Sequence, residues 1–539
     1  MSTDGRQDSD GAERRLDRKT FVRTALVGGA AVLGGSLPGT AFAKDLGPFS
    51  AAGAAAPRKG GNLRIGMTGG SSTDTLDPFT GGFTAIGTSR VQQIYEPLVQ
   101  LDGNGQVKNV LAEEIIPHGS TSKWIVRVRK GVTFHNGKAF TADDVVSFFH
   151  TALNQKAGLT GGLVLTPIDL RGVRKIDKWT VEVPMHTPFG SFPEQLAAIW
   201  WVMYVPPAGW KQGDKAIGTG PFLYKSFTPG RESVFVRNPN YWKHDRPYLD
   251  SVQILDFSDA NALQNALTSN AIDAAGFLTG SQIKILQHTP GIKTVVSKTG
   301  AIAPFTMRVD KAPFNDVNVR QAFRYLIDRK AMIATALDGY GTVAADVTSP
   351  LDPNYNHALH REQDLDMAKH LLKKAGHGSG LTVKLDTSVA VQPYSPLLAT
   401  ILKQQAKAAG VTINIDQVTP SNYFGPNVYT KVPFAQIYYV YSPYLAQVAQ
   451  TFLPGCPWPE THFTNERYVK LYKEANTTKK AALRREIEHE MQQIDFTQGG
   501  YIVPFFVDTL DAYSSKVNGY SQGKVGEALG NYNFEDYYF

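Results

Sequence analysis

The 539 residues carry 55 Lys and Arg against 48 Asp and Glu, a formal charge of +7, with 42% hydrophobic and 11% aromatic residues. That length exceeds what one hydrophobic core usually serves, so two or more lobes are expected. The charges are scattered, without the basic runs interleaved with aromatics that mark nucleic-acid binding, and the single Cys456 excludes an internal disulfide.

In chain order, residues 1–43 read as an export signal. Asp17-Arg18-Lys19-Thr20-Phe21-Val22-Arg23 resembles the twin-arginine transport motif, with Lys19 in place of the second arginine. The apolar run from Ala25 to Leu37 is too short to span a bilayer. Ala41-Phe42-Ala43 fits the small-x-small cleavage rule, so Lys44 is the expected first mature residue, by either the twin-arginine or the general secretory route. Residues 44–60, rich in Ala, Gly and Pro, read as a flexible leader. Gly61 to Gly66 then predicts a first strand, Leu76-Asp77-Pro78-Phe79 a turn, and Thr88 to Tyr95 a helix leading to Glu96-Pro97-Leu98.

Trp124, Val126 and Val128 alternate with basic residues, the period of a strand buried on one face. A turn at Lys130-Gly131 leads to a predicted second strand, Val132-Thr133-Phe134. His135-Asn136-Gly137 turns the chain toward a helix opened by Thr141, with Asp144 as its capping-box partner. Further on, Val252 to Leu255 predicts a strand and Asn261 to Thr268 a helix. This alternation predicts an α/β fold with mostly parallel sheets, and no internal repeat is visible.

Enzyme signatures fail one by one. Gly218-Thr219-Gly220 lacks a following Lys-Ser or Lys-Thr, and Pro221 removes a backbone donor, so it is no phosphate loop. No nucleophile elbow, His-Glu-x-x-His helix or Cys-x-x-Cys pair occurs. His357 and His360 stand one helical turn apart but lack a third ligand, and His135 is expected to hydrogen-bond within its turn. Asp143 and Asp144 favour a helix start through its dipole. The expectation is a non-enzyme without metal or cofactor, and Cys456, in Pro454-Gly455-Cys456-Pro457-Trp458, is expected to be an ordinary loop thiol.

Four ordered blocks carry a resemblance. They are Leu111 to His150, with Gly131-Val132-Thr133-Phe134-His135-Asn136-Gly137 and Thr141 to Val145; Gly218 to Phe222 with Arg237-Asn238-Pro239-Asn240-Tyr241-Trp242; Phe314 to Arg329 with Val319-Arg320-Gln321-Ala322-Phe323; and Asp366 to Gly376. Together they resemble the family 5 solute-binding proteins of ABC importers, the oligopeptide, dipeptide and nickel group, over about residues 60 to 520. The resemblance implies a bilobed periplasmic-binding-protein type 2 fold with an extra subdomain. One lobe would comprise 61–97, 217–282 and 505–539, with the subdomain at 98–216, and the other lobe 283–504. It implies an exported monomer that encloses a small organic ligand between lobes and delivers it to permease subunits. Peptides lead as ligands, ahead of sugar-like neutral solutes and nickel chelates.

In dipeptide-type members an Asp after a Trp-containing strand takes the ligand ammonium, and an Arg before a Pro-Tyr pair grips its carboxylate. Aligned without gaps, Tyr444 falls on that Asp, and Val391-Gln392-Pro393-Tyr394 has no Arg. The resemblance therefore implies a ligand held largely by aromatics: Phe79, Gln392, Tyr394, Tyr438, Tyr439, Tyr441, Tyr444 and Trp458 are the expected contacts.

Overall fold

The computed structural model describes residues 56–539 except Gly158. The expected signal, and the leader as far as residue 55, lie outside the described residues. The largest sheet runs in the order Ile292–Ile302, Phe505–Ser514, Ala274–Ala275, Asn62–Thr68, Ser251–Phe257, Glu232–Arg237 and Phe222–Thr228. Gly341–Val343 adds to the strand Phe505–Ser514. Leu63, Ile65 and Met67 point into a core with Phe222, Phe235, Val252 and Ile254. A second sheet, Ala112–His118, Ser120–Val128, Thr180–Pro184 and Arg174–Asp177, sits in the 98–216 segment.

The sheets are mixed rather than mostly parallel. Asn62–Thr68 runs parallel to both neighbours, and Leu381–Thr387 runs parallel to Val411–Gln417. The other ladders are antiparallel. The reason is connection length: a turn such as that between Thr228 and Glu232 can only join antiparallel strands, whereas parallel pairing needs a long crossover.

Local signals fared unevenly. Thr141 and Asp144 form the expected capping box at the helix Ala142–Ala152. The helix after the Asp77 turn starts earlier than predicted, at Ala85, because the Thr84 hydroxyl caps it by accepting from Gly87 N–H. Val132 to Phe134 is not a strand. It makes one bridge, Thr133 to Ala139, because the chain doubles back at once through Gly137.

The sequence blocks converge on buried polar hubs. The Glu96 carboxylate accepts from Thr219 Oγ1 (2.9 Å), Tyr241 OH (2.8 Å) and Trp242 Nε1 (2.7 Å), so two separate motifs meet on one side chain. His135 joins the same region. Its Nε2 lies 3.0 Å from the Gly220 carbonyl and its Nδ1 3.4 Å from Gly218 N–H, an arrangement that suits a neutral ring protonated at Nε2. In the helix Val317–Tyr325, Arg320 donates to the Gln498 and Gly499 carbonyls and Arg324 to those of Phe496 and Tyr501. These guanidiniums satisfy carbonyls at and beyond the end of the helix Ala481–Gln498, which no longer have helical partners.

Candidate functional site

Two long strands, Ile292–Ile302 and Phe505–Ser514, pair from Ile292 opposite Ser514 to Ile302 opposite Phe506. Both chains then continue into a separate three-stranded sheet of Phe434–Gln436, Phe305–Met307 and Tyr501–Ile502. The chain thus passes between the two sheets twice, at residues 303–304 and 503–504. Pairing is irregular just before the crossing, with a register shift between Ser297 and Ala301. Irregular pairing concentrates bending in a few residues, as a hinge requires.

The extended segment 437–441 lies against this crossing. Ile437 N–H donates to Pro304 O (3.1 Å), and Tyr439 exchanges both backbone hydrogen bonds with Ile302 (2.8 and 3.0 Å). Tyr441 N–H donates to Val525 O (2.7 Å) and Gly300 N–H to Lys524 O (2.8 Å), so the loop 523–528 touches both the hinge strand and this segment. The ring of Tyr441 lies between Gly105 and Gly300, where a Cβ would approach it to 2.6 and 2.8 Å. Gly105 also has a positive φ of 79°, so glycine is required there twice over.

The eight expected contacts fall into three groups. Phe79 and Tyr441 are buried in one apolar cluster, and Trp458 packs against it from a partly buried position. Phe79 is set by Asp77, whose carboxylate accepts from Phe79 and Thr80 N–H, and its ring packs edge-on to Trp210 at 5.3 Å. Tyr394 and Tyr438 pack against a second cluster, with Gln392 partly buried nearby in sequence. Tyr438 OH reaches the Gly526 carbonyl at 3.5 Å, whereas the buried Tyr394 hydroxyl has no partner.

Tyr439 and Tyr444 belong to a third cluster, and their hydroxyls are already engaged. Glu460, buried, accepts from Tyr439, from Tyr429 (2.6 Å) and from Tyr501 (2.9 Å). Asp495 accepts from Tyr444 (2.6 Å) and Tyr468 (3.0 Å). Tyr444 is fully buried and opens the helix Tyr444–Thr451, so its phenol serves Asp495 within its own cluster. Burial pushes the carboxyls of Glu460 and Asp495 up to about 7.

Sequence reasoning passed over the acids at this junction. Glu527 accepts from Tyr532 OH at 2.9 Å, and Asp511 accepts from Leu529 N–H at 2.8 Å. Burial raises both carboxyls to about 7. An acid inside the apolar strand run Thr509-Leu510-Asp511-Ala512 was a visible signal for Asp511, but Glu527 sits in a glycine-rich loop that matches no motif. Among the described residues no cluster of three His, Cys, Asp or Glu is placed to hold a metal ion, and no helix is long and apolar enough to cross a membrane. Burial pushes the Cys456 thiol up to about 12, the setting of an unreactive thiol.

Two sheets joined by a double crossing, with an added sheet in the 98–216 segment, define the class: this is the bilobed fold of periplasmic binding proteins. A structure of AgaA from A. tumefaciens R10 in complex with agropinic acid matches with a TM-score of 0.78 at 22% identity, covering 88% of this chain and 98% of that one. The oligopeptide-binding protein AppA of Bacillus subtilis, in complex with a nonapeptide, matches with a TM-score of 0.74 at 23% identity, over 90% of this chain and all (100%) of that one. The chain matches the bacterial extracellular solute-binding proteins, family 5 Middle, over residues 106–449, and it belongs to that family. A glutathione-binding protein GsiB from Pectobacterium atrosepticum is 28% identical over 351 residues, 64% of this chain and 67% of the relative. The heme-binding protein A of Haemophilus influenzae is 28% identical over 328 residues, so that the chain spans 59% of that relative's length.

Proposed function

We propose that this protein captures a small organic solute between two lobes and presents it to the permease subunits of an ABC importer. The lobes are 61–97 with 217–282 and 505–539, and 283–504, with 98–216 as a subdomain of the first. The observation that carries the reading is the double crossing at 303–304 and 503–504, against which the 437–441 segment and the loop 523–528 close. Two strands permit rotation of one lobe on the other, and a solute gripped by both favours the closed state through its differential affinity.

Peptides or peptide-like solutes are the leading ligand class, since the similar proteins include a nonapeptide complex and glutathione-binding proteins. Phe79, Tyr441 and Trp458 on one side and Gln392, Tyr394 and Tyr438 on the other are the proposed lining, with Tyr439 and Tyr444 supporting it from behind. A sugar-like neutral solute is the second reading, favoured by the aromatic content of that lining. Export by a twin-arginine-like signal and function as a monomer outside the cytoplasmic membrane complete the proposal; sequencing the mature N-terminus should give Lys44, and light scattering one chain.

X-ray scattering with and without co-purified solute tests the reading. The radius of gyration should fall on binding, and the solute at a hundredfold excess over Kd should stabilise the protein by about 2.7 kcal/mol. A bound solute that leaves the radius unchanged would refute the hinged trap. Replacing Tyr438 or Tyr441 with Ala should weaken binding at least tenfold, whereas Tyr444→Phe should leave it unchanged.

A further inference from the structure

Buried carboxylates in this protein come with an answering group. Asp346 pairs with Arg329 and Arg361, Asp74 and Asp256 share Arg90, and Glu194 and Glu488 share Arg484. Glu460 and Asp495 lack a cation but are held by three and two phenols. The exceptions are Asp511, which has no ion pair among the described residues and accepts from the Leu529 N–H, and Glu527. Glu527 is 7% exposed, forms no ion pair among the described residues, and has one phenol, that of Tyr532. A buried charge with so little compensation is costly, and proteins retain such groups where something arrives to answer them.

The surroundings of Glu527 point the same way. It follows Gly526, whose φ of 100° and close approach to Ala301, where a Cβ would come within 2.6 Å, fix the loop against the hinge strand. Three segments bring phenols to this region: Tyr532 by direct hydrogen bond, Tyr438 through its hydrogen bond to the neighbouring Gly526 carbonyl, and Tyr204 from the buried cluster it shares with Tyr532. Tyr204 is fully buried, yet its hydroxyl has no hydrogen-bond partner. Asp511, which accepts from Leu529 N–H two residues beyond Glu527, likewise has one carboxylate oxygen, Oδ1, unpartnered. Orphaned polar atoms of this kind are rare in folded interiors, and two in the region of one carboxylate outline a position for a donor-rich group.

We infer that the solute carries a protonated nitrogen, an ammonium or guanidinium, that docks on Glu527 at the meeting of Tyr204, Tyr438 and Tyr532. The inference rests on the solute-receptor reading above and sharpens it. The carboxylate that answers the ligand's charge comes from the C-terminal loop rather than from the segment around Tyr444. With no arginine before Pro393-Tyr394, the preferred solutes are cationic without a nearby anionic end.

Matched pairs of solutes test this: tetra-alanine amide against N-acetyl tetra-alanine amide, and agmatine against its N-acetyl derivative. Calorimetry on the full mature chain should show the free amines binding at least tenfold more tightly than their acetylated partners, with the radius of gyration falling on binding. Glu527→Gln, nearly isosteric, should lose that preference; circular dichroism confirms that it folds, and Asp511→Asn should reduce the preference in the same direction. Equal or tighter binding of the acetylated members overturns the inference and leaves the receptor reading standing. An unchanged preference in Glu527→Gln overturns the assignment to this residue. If neither member of any pair binds and the radius stays constant, the inference falls, while the receptor reading is judged by the co-purified solute.

Discussion

Single side chains decide whether the motifs of this chain hold together. Glu96 is the clearest case, because a hydroxyl from one distant segment and a phenol and an indole from another all donate to it. Tyr241 OH keeps Glu535 as a partner, but removing the acceptor leaves the Thr219 hydroxyl and the Trp242 indole without one, and each orphan costs on the order of 1–3 kcal/mol. Glu96→Ala should therefore lower unfolding stability by about 3 kcal/mol or more, read from the urea midpoint at unchanged slope. A loss under about 1 kcal/mol would show that water replaces the carboxylate. Sequence reading located Tyr241, Trp242 and Thr219 within motifs but gave no sign that they share a partner, because hydrogen bonding across some 145 residues leaves no local pattern.

At the level of elements, the hinge and its wedge matter most. Tyr441 fits between Gly105 of the turn joining Val99–Leu101 to Val107–Asn109 and Gly300 of the crossing strand. Farther along the same face, Arg484 reaches Glu194 at 2.7 Å and Asn476 accepts from Ser191 Oγ at 2.8 Å, tying the 98–216 segment to the helices Glu466–Thr477 and Ala481–Gln498. A side chain at position 300 would displace the Tyr441 ring and oppose that closure. Gly300→Val should enlarge the radius of gyration and weaken solute binding at least tenfold, while leaving secondary structure by circular dichroism intact. An unchanged radius would place the closing contact elsewhere. Expectations at this level failed where local pattern competes with distant pairing. The Val132 to Phe134 run has strand composition but lacks a continuous partner, and composition alone cannot supply one.

Over the whole molecule, buried acids set the response to pH. Burial raises the carboxyls of Glu460, Glu488, Asp495, Asp511 and Glu527 to about 7, against roughly 4 in an unfolded chain. Between those values the folded state binds more protons than the unfolded state, so stability falls as pH rises through that window and levels off above it. His135 acts in the opposite sense: burial lowers its pKa, so its contribution is lost on acidification below about 6.5. His489, also lowered by burial, acts in the same sense as His135, but five groups outweigh two, and the melting temperature should be higher at pH 5 than at pH 8. Glu460→Gln should narrow that difference. A melting temperature that instead rises toward pH 8 would mean that water or counter-ions reach these acids.

Much of this protein was determined by sequence alone, where the signal is local and periodic. The alternation of Trp124, Val126 and Val128, the Thr141–Asp144 capping box and the Asp77 turn depend on residues within a few positions of one another, and the ordered motif blocks placed the chain in its family. Tertiary structure alone decided which groups face each other. It sent the Tyr439 and Tyr444 hydroxyls to Glu460 and Asp495, wedged Tyr441 between two glycines, and left Glu527 with a single phenol at the crossing of the lobes. The difference is physical: propensity and capping act over one or two turns of chain, whereas a buried charge takes its meaning from whatever the fold carries to within hydrogen-bonding distance.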